Sequence, residues 1–183
     1  RFIDGAMVLC TGSVCIVIAM AAHNPDWRVD LADISDDALV LARENVEFQD
    51  VGERVRVIRS DLFAALADER YDLIVSNPPY VTEREYAALP PEYAHEPALG
   101  LRAGADGLDF ALRILAEAAD HLTDDGVLIV EVGESERALV DVLPQVPFNW
   151  IEFHVGQMGV FLLDRRDLVE HAQAIRATAN ARG

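Results

Sequence analysis

Short apolar runs of four to six residues recur throughout the sequence and alternate with segments whose apolar residues return at helical spacing. Met7 to Cys10, Val29 to Asp33, Val55 to Arg59, Tyr71 to Ser76, Val127 to Val132, Ile151 to Val155 and Val160 to Leu163 predict strands. A first helix is predicted over Val14 to Ala22. A second starts after Ser35, a good N-cap, with Asp36 and Asp37 in its first turn and Leu39, Ala42 and Val46 on one face. A third follows Asp109, where Ala111, Leu112, Leu115, Ala118 and Leu122 form a stripe, and Asp124-Asp125-Gly126 predicts the turn into the next strand. A fourth, from Ser135 to Leu143, stops before Pro144.

Strands as continuously apolar as Leu73-Ile74-Val75 and Val127-Leu128-Ile129-Val130 are expected in a parallel sheet covered on both faces. The predicted architecture is α/β and doubly wound, with a mostly parallel sheet of seven strands. The last two strands are joined by Gly156-Gln157-Met158-Gly159, too short for a parallel crossover, so they are predicted to form a C-terminal antiparallel hairpin. Residues 1–164 then make one domain. Residues 165–183 read as a polar helical tail fraying from Ala177 to Gly183. Val81 to Gly107 breaks the rhythm with Pro90, Pro91, Pro97, Gly100 and Gly104, as binding loops do.

Composition narrows the function. The 183 residues are 51% hydrophobic, enough for one core without staples. All 15 basic residues are Arg, against 32 acids, and the net charge of −17 opposes binding to phosphate backbones or anionic membranes and favours a basic partner. Cys10 and Cys15 are too few for a disulfide framework, which suggests a reducing, cytoplasmic setting. The five histidines form no two-ligand helical pair, so no metal is expected. The longest apolar run, Val14 to Ala22, falls short of the ~20 residues that span a bilayer, and a soluble chain is expected.

Chemistry is expected at the C-terminal ends of the strands, the ligand edge of such sheets. Cys10, Thr11, Gly12 and Ser13 link the first strand to its helix with residues small enough for backbone N–H groups to reach a ligand, or merely to make a tight turn. One glycine in this loop is not the dinucleotide fingerprint. Asp33 ends the second strand, where a carboxylate can accept from both hydroxyls of an adenosine ribose. Asp61 ends the third. It can accept from an adenine amine while Leu62 or Phe63 packs on the base, or simply cap the following turn.

Asn77-Pro78-Pro79-Tyr80, after a buried strand, is the most specific signal. An amide nitrogen has its lone pair delocalised, so methylating it requires its N–H groups to be held by acceptors and the nitrogen to be aimed. Asn77 offers one acceptor. The Pro78 carbonyl, fixed in an extended conformation by Pro79, offers the second, and Tyr80 can stack on the planar group.

These segments together resemble the HemK/PrmB-type protein glutamine methyltransferases from Met7 to Leu163. The resemblance implies a class I, Rossmann-like methyltransferase fold, S-adenosylmethionine as cofactor, and a helical substrate-binding domain ahead of Arg1. Cys10-Thr11-Gly12-Ser13 resembles the family's cofactor loop, Asp33-Ile34-Ser35 its ribose strand end and Asn77-Pro78-Pro79-Tyr80 its substrate motif. Cys10 in place of a glycine, the run from Leu89 to Leu101 and Asp106-Gly107-Leu108 resemble the branch that modifies a large-subunit ribosomal protein, L-three, more than the release-factor branch. Val8 and Val14 depart from the pattern, standing where the family has an Asp and the last loop glycine. Both losses are expected to weaken cofactor binding. A nucleic-acid amino-methyltransferase poses the same planar-nitrogen problem but is opposed by the charge; a non-catalytic module that retains the fold is the remaining alternative.

Overall fold

The structure is a computed structural model and describes residues 3–10, 12, 14–66, 68–80, 104, 106–153 and 159–182. Within these, β1 (Gly5–Leu9), α1 (Cys15–His23), β2 (Arg28–Asp33), α2 (Asp36–Phe48), β3 (Val55–Arg59) and β4 (Tyr71–Ser76) follow one another. The second half contains α3 (Asp109–Glu117), β5 (Leu122–Glu131), α4 (Glu136–Val142), β6 (Asn149–Trp150), β7 (Val160–Asp164), α5 (Arg165–Glu170) and α6 (Ala172–Asn180). The strands form one seven-stranded sheet in the order β3-β2-β1-β4-β5-β7-β6. β1 to β5 are parallel, whereas β7 runs antiparallel to both β5 and β6. The doubly wound fold and terminal hairpin are therefore as expected.

Alternation along β1 shows why the sheet is covered twice. Ala6 and Val8 enter a core with Val17 of α1 and Leu39, Ala42 and Val46 of α2, while Met7 and Leu9 enter a second core with Leu112 and Leu115 of α3 and Phe161 of β7. A fully buried Leu or Val contributes about 1.5–3 kcal/mol, so α2 is held chiefly by its inward stripe. Its start is set by Ser35, whose Oγ accepts from the Ala38 amide at 3.3 Å.

The differences from the predicted elements are local. Asp124-Asp125-Gly126 lies inside β5 rather than before it: Tyr71 pairs with Leu122 but Leu73 with Val127, so the expected turn is an irregularity in the ladder. Leu122 opens β5 instead of closing the α3 stripe, because the helix tightens into a 3-10 turn at Ala118–His121. The strand expected at Ile151 to Val155 lies earlier, at Asn149–Trp150, where Phe148 and Trp150 pack on Phe161 at centroid distances of 4.9 and 5.6 Å. The expected Gly156 to Met158 connection lies outside the described residues, as do Val81 to Leu101. The C-terminal segment does not fray from Ala177. Leu168 and Ile175 are buried in the second core, α6 lies against α3, and helix continues to Asn180. No helix among the described residues is long and apolar enough to cross a membrane.

Candidate active site

The sheet order reverses between β1 and β4, which makes a crevice at the carboxyl ends of these strands. Leu9 and Ser76 are register partners at its base, and the Ser76 hydroxyl donates to the Leu9 carbonyl at 3.1 Å. The loop predicted to reach the cofactor and the motif predicted to hold an amide thus leave neighbouring strands side by side.

On the β1 side the chain turns at Cys10, whose amide donates to the Ala32 carbonyl at 3.1 Å. Cys10, Gly12 and Val14 have φ of 55°, 46° and 66°. The loop therefore has the backbone of a glycine-rich turn with glycine at only one of these three positions. For a β-branched residue this conformation is rare, and holding any L-residue in it costs about 1–2 kcal/mol. Val14 is nevertheless fully buried; apolar packing holds it there. Thr11 and Ser13 lie outside the described residues. A Cβ added to Gly12 would meet nothing within 4 Å, so open space lies beside the turn. Val8 is buried between Leu31 and Val75, its partners on the flanking strands, and supplies no charge for an ammonium group.

Asp33 stands at the tip of β2, with Oδ1 accepting the Ser35 amide at 2.9 Å and Oδ2 3.5 Å from the Gly12 amide nitrogen. Beyond β3, Ser60 Oγ donates to the Leu62 carbonyl at 2.7 Å and accepts from the Ala65 amide at 3.0 Å, locking a turn in which Leu62 has φ 48°. Asp61 projects from this turn, half-exposed, and Arg113 of α3 binds its Oδ2 at 2.9 Å. Leu62 is almost wholly buried, and Phe63 is directed into the core, stacked on His121 at 4.4 Å. Of the two candidates for packing on a base, Phe63 is thus committed elsewhere.

On the β4 side Asn77 is exposed at the strand end, Pro78 is buried, and Pro79 and Tyr80 are half-buried. The Tyr80 hydroxyl donates to Glu131 Oε1, at the end of β5, at 3.2 Å. Burial and then the Glu131 charge push the phenol pKa up, so the hydroxyl remains a donor. The Tyr80 ring also packs directly on Gly133, where an added Cβ would lie 2.6 Å from Cε2. Tyr80 is thereby a fixed wall beside Asn77 and Pro78. Sequence reasoning passed over Glu131, Gly133, Arg113 and Ser76. Glu131 was accessible by the argument applied to Asp33, as an acid closing a buried parallel strand.

The cofactor positions fit an adenosine-bearing ligand on three counts: a carboxylate oriented by backbone at β2, a half-exposed carboxylate at β3, and open space above Gly12. Residues 5–90 match the methyltransferase small domain family. Over 182 residues, the whole of this chain and 59% of the relative, it is 56% identical to the ribosomal protein uL3 glutamine methyltransferase of Xanthomonas campestris pv. campestris. The protein of the same name from Francisella tularensis subsp. tularensis is 47% identical over 95% of this chain and 55% of its own length. The chain thus spans somewhat over half the length of these curated relatives. Among solved structures, a methyltransferase from Pyrococcus furiosus superimposes with a TM-score of 0.63 at 21% identity, over 90% of this chain and 77% of that one. The human methyltransferase 10 domain containing protein superimposes with a TM-score of 0.61 at 21% identity, over 90% and 72%. The fold is that of the class I methyltransferases.

Proposed function

We propose that this chain, a homologue of the uL3 glutamine methyltransferases on a class I methyltransferase fold, forms the catalytic domain of an enzyme that methylates a glutamine side-chain nitrogen of ribosomal protein uL3. The observation that carries the reading is Asn77-Pro78-Pro79-Tyr80 at the tip of β4, next to the β1 turn and walled by Tyr80. S-adenosylmethionine, when bound, supplies an electrophilic methyl group. Asp33 would hold its ribose and Asp61, with Leu62, its adenine, while Cys10, Thr11, Gly12 and Ser13 would hold its amino-acid end.

The acceptor side is the work of this chain's own groups. Asn77 Oδ1 and the Pro78 carbonyl accept the two amide N–H groups and fix the plane of the nitrogen. Pro79 restrains the Pro78 carbonyl, so little reorganisation remains when the substrate enters. Positioning of this kind can account for much of the rate. A net charge of −17 suits a basic ribosomal protein and opposes a nucleic-acid substrate.

The test is methyl transfer to unmodified uL3, with release factor and single-stranded nucleic acid as competing acceptors. Methylation of uL3 alone is expected, and Asn77→Ala should lower kcat by about 100-fold or more without loss of S-adenosylhomocysteine binding. Transfer to nucleic acid, full activity of Asn77→Ala, or no cofactor binding at millimolar concentration would each overturn the proposal.

A further inference from the structure

Tyr80 occupies a seat formed where three side chains are missing. Gly107, Gly133 and Gly159 have φ of 78°, 52° and 78°. A Cβ on Gly107 would overlap the Tyr80 carbonyl oxygen and Ser135 Oγ; one on Gly133 would strike the Tyr80 ring; one on Gly159 would overlap the Gly133 carbonyl. Gly107 and Gly133 thus close directly on Tyr80, and Gly159 backs Gly133, with no side-chain layer between them. Glu131 then fixes the ring by its hydroxyl at 3.2 Å.

One wall of this seat is tied to the far end of the chain. The Asp106 carbonyl accepts from Ser135 Oγ at 3.0 Å, and its Oδ1 accepts the Leu108 amide at 3.3 Å. One guanidinium nitrogen of Arg182, just beyond α6, lies 2.6 Å from both Asp106 carboxylate oxygens. The two side chains are 27% and 32% exposed, against 79% and 78% for the Arg166–Asp125 pair, so solvent screens this contact far less.

We propose that Arg182 is a positioning residue for the methyl-acceptor motif: by holding Asp106, it presses the Gly107 backbone against the Tyr80 carbonyl and so fixes the orientation of Asn77 and the Pro78 carbonyl. The two prolines transmit the constraint, because a displacement of Tyr80 cannot be absorbed by free rotation between it and Asn77. The inference rests on Asn77 to Tyr80 being the acceptor motif, as proposed above. It also gives α6 a role beyond covering α3.

The experiment compares Arg182→Ala, Arg182→Lys and, as a control, Arg166→Ala. A 1 Å misplacement remote from the chemistry can cost about 100-fold, and the loss of one of several walls is expected to lower kcat on uL3 about 10-fold in Arg182→Ala. The Kd for S-adenosylhomocysteine and the denaturation midpoint should stay near wild type, and Arg182→Lys should recover most of the rate. The Tyr80 ring resonances, assigned with Tyr80→Phe, should shift in Arg182→Ala and stay in place in Arg166→Ala. Unmoved Tyr80 resonances, a fall in kcat matched by an equal loss of cofactor binding, or no rescue by Lys would overturn the proposal. If wild-type protein methylates no glutamine, the proposed function fails, while the Tyr80 resonances still decide whether Arg182 sets the seat.

Discussion

The Asp33 carboxylate is oriented by the chain that follows it: its Oδ1 accepts the Ser35 amide at 2.9 Å, while Ser35 itself caps α2 through Ala38. One carboxylate oxygen is thus anchored before any ligand arrives, and the other lies towards the Gly12 turn. Asp33→Ala should weaken S-adenosylhomocysteine binding by about 10- to 100-fold, the equivalent of about 1.5–3 kcal/mol for hydrogen bonds to a charged acceptor. The helix start should survive, since the Ser35 cap is untouched. Calorimetric titration together with helical circular dichroism separates the two effects.

Val14 poses two opposed terms. Its side chain is fully buried, worth about 1.5–3 kcal/mol, and its left-handed backbone costs about 1–2 kcal/mol. Val14→Ala keeps the backbone cost and loses the packing. Val14→Gly loses the packing but relieves the backbone. The Gly variant is therefore expected to be more stable than the Ala variant by about 1 kcal/mol, the reverse of the order inside a helix, and to bind S-adenosylhomocysteine more tightly than wild type. Urea denaturation of the pair measures the first; an Ala variant as stable as the Gly variant would refute the backbone argument.

Cys10 lies half-buried in the same turn, and burial, then the Asp33 charge, push its thiol from 9.0 up to about 12, with the Ser76 hydrogen bond opposing. At neutral pH it is a protonated, poor nucleophile. Iodoacetamide should therefore label the exposed Cys15 in native protein and both cysteines only after denaturation. The sign for stability follows from the raised value. The contribution is complete below pH 9 and is lost between about 9 and 12, as the unfolded chain ionises while the native thiol does not. Cys10→Ser should flatten this part of the stability profile.

The sheet was readable from sequence because each strand declares itself locally: β3 and β4 match their apolar runs residue for residue, and Ser35 marks the start of α2. Where tertiary contacts decide, the pattern misled. Asp124-Asp125-Gly126 has turn chemistry, yet pairing on both sides draws it into β5. β6 is two residues long, and the packing of Phe148 and Trp150 on Phe161, not an apolar run, sets where it pairs. In the site, strand-end acids and the Asn-Pro-Pro-Tyr turn were visible as short motifs. The commitment of Phe63 to His121, the Arg113 pair and the glycine seat were not, since each is a contact between residues widely separated in the chain.

The adjacency of β1 and β4 gives the molecule a natural line of recombination. At the crevice the backbone ladder, the Ser76–Leu9 hydrogen bond and the Cys10–Ser76 contact join the two flanks, so substitutions away from these positions can alter one flank and leave the other's strand end in place. Val8 and Val14, which depart from the pattern of the family the sequence resembles, both precede β4, and Asn77 follows it. A chimera grafting residues before β4 from a glycine-complete relative onto this chain's later strands should fold, and would show which flank limits turnover.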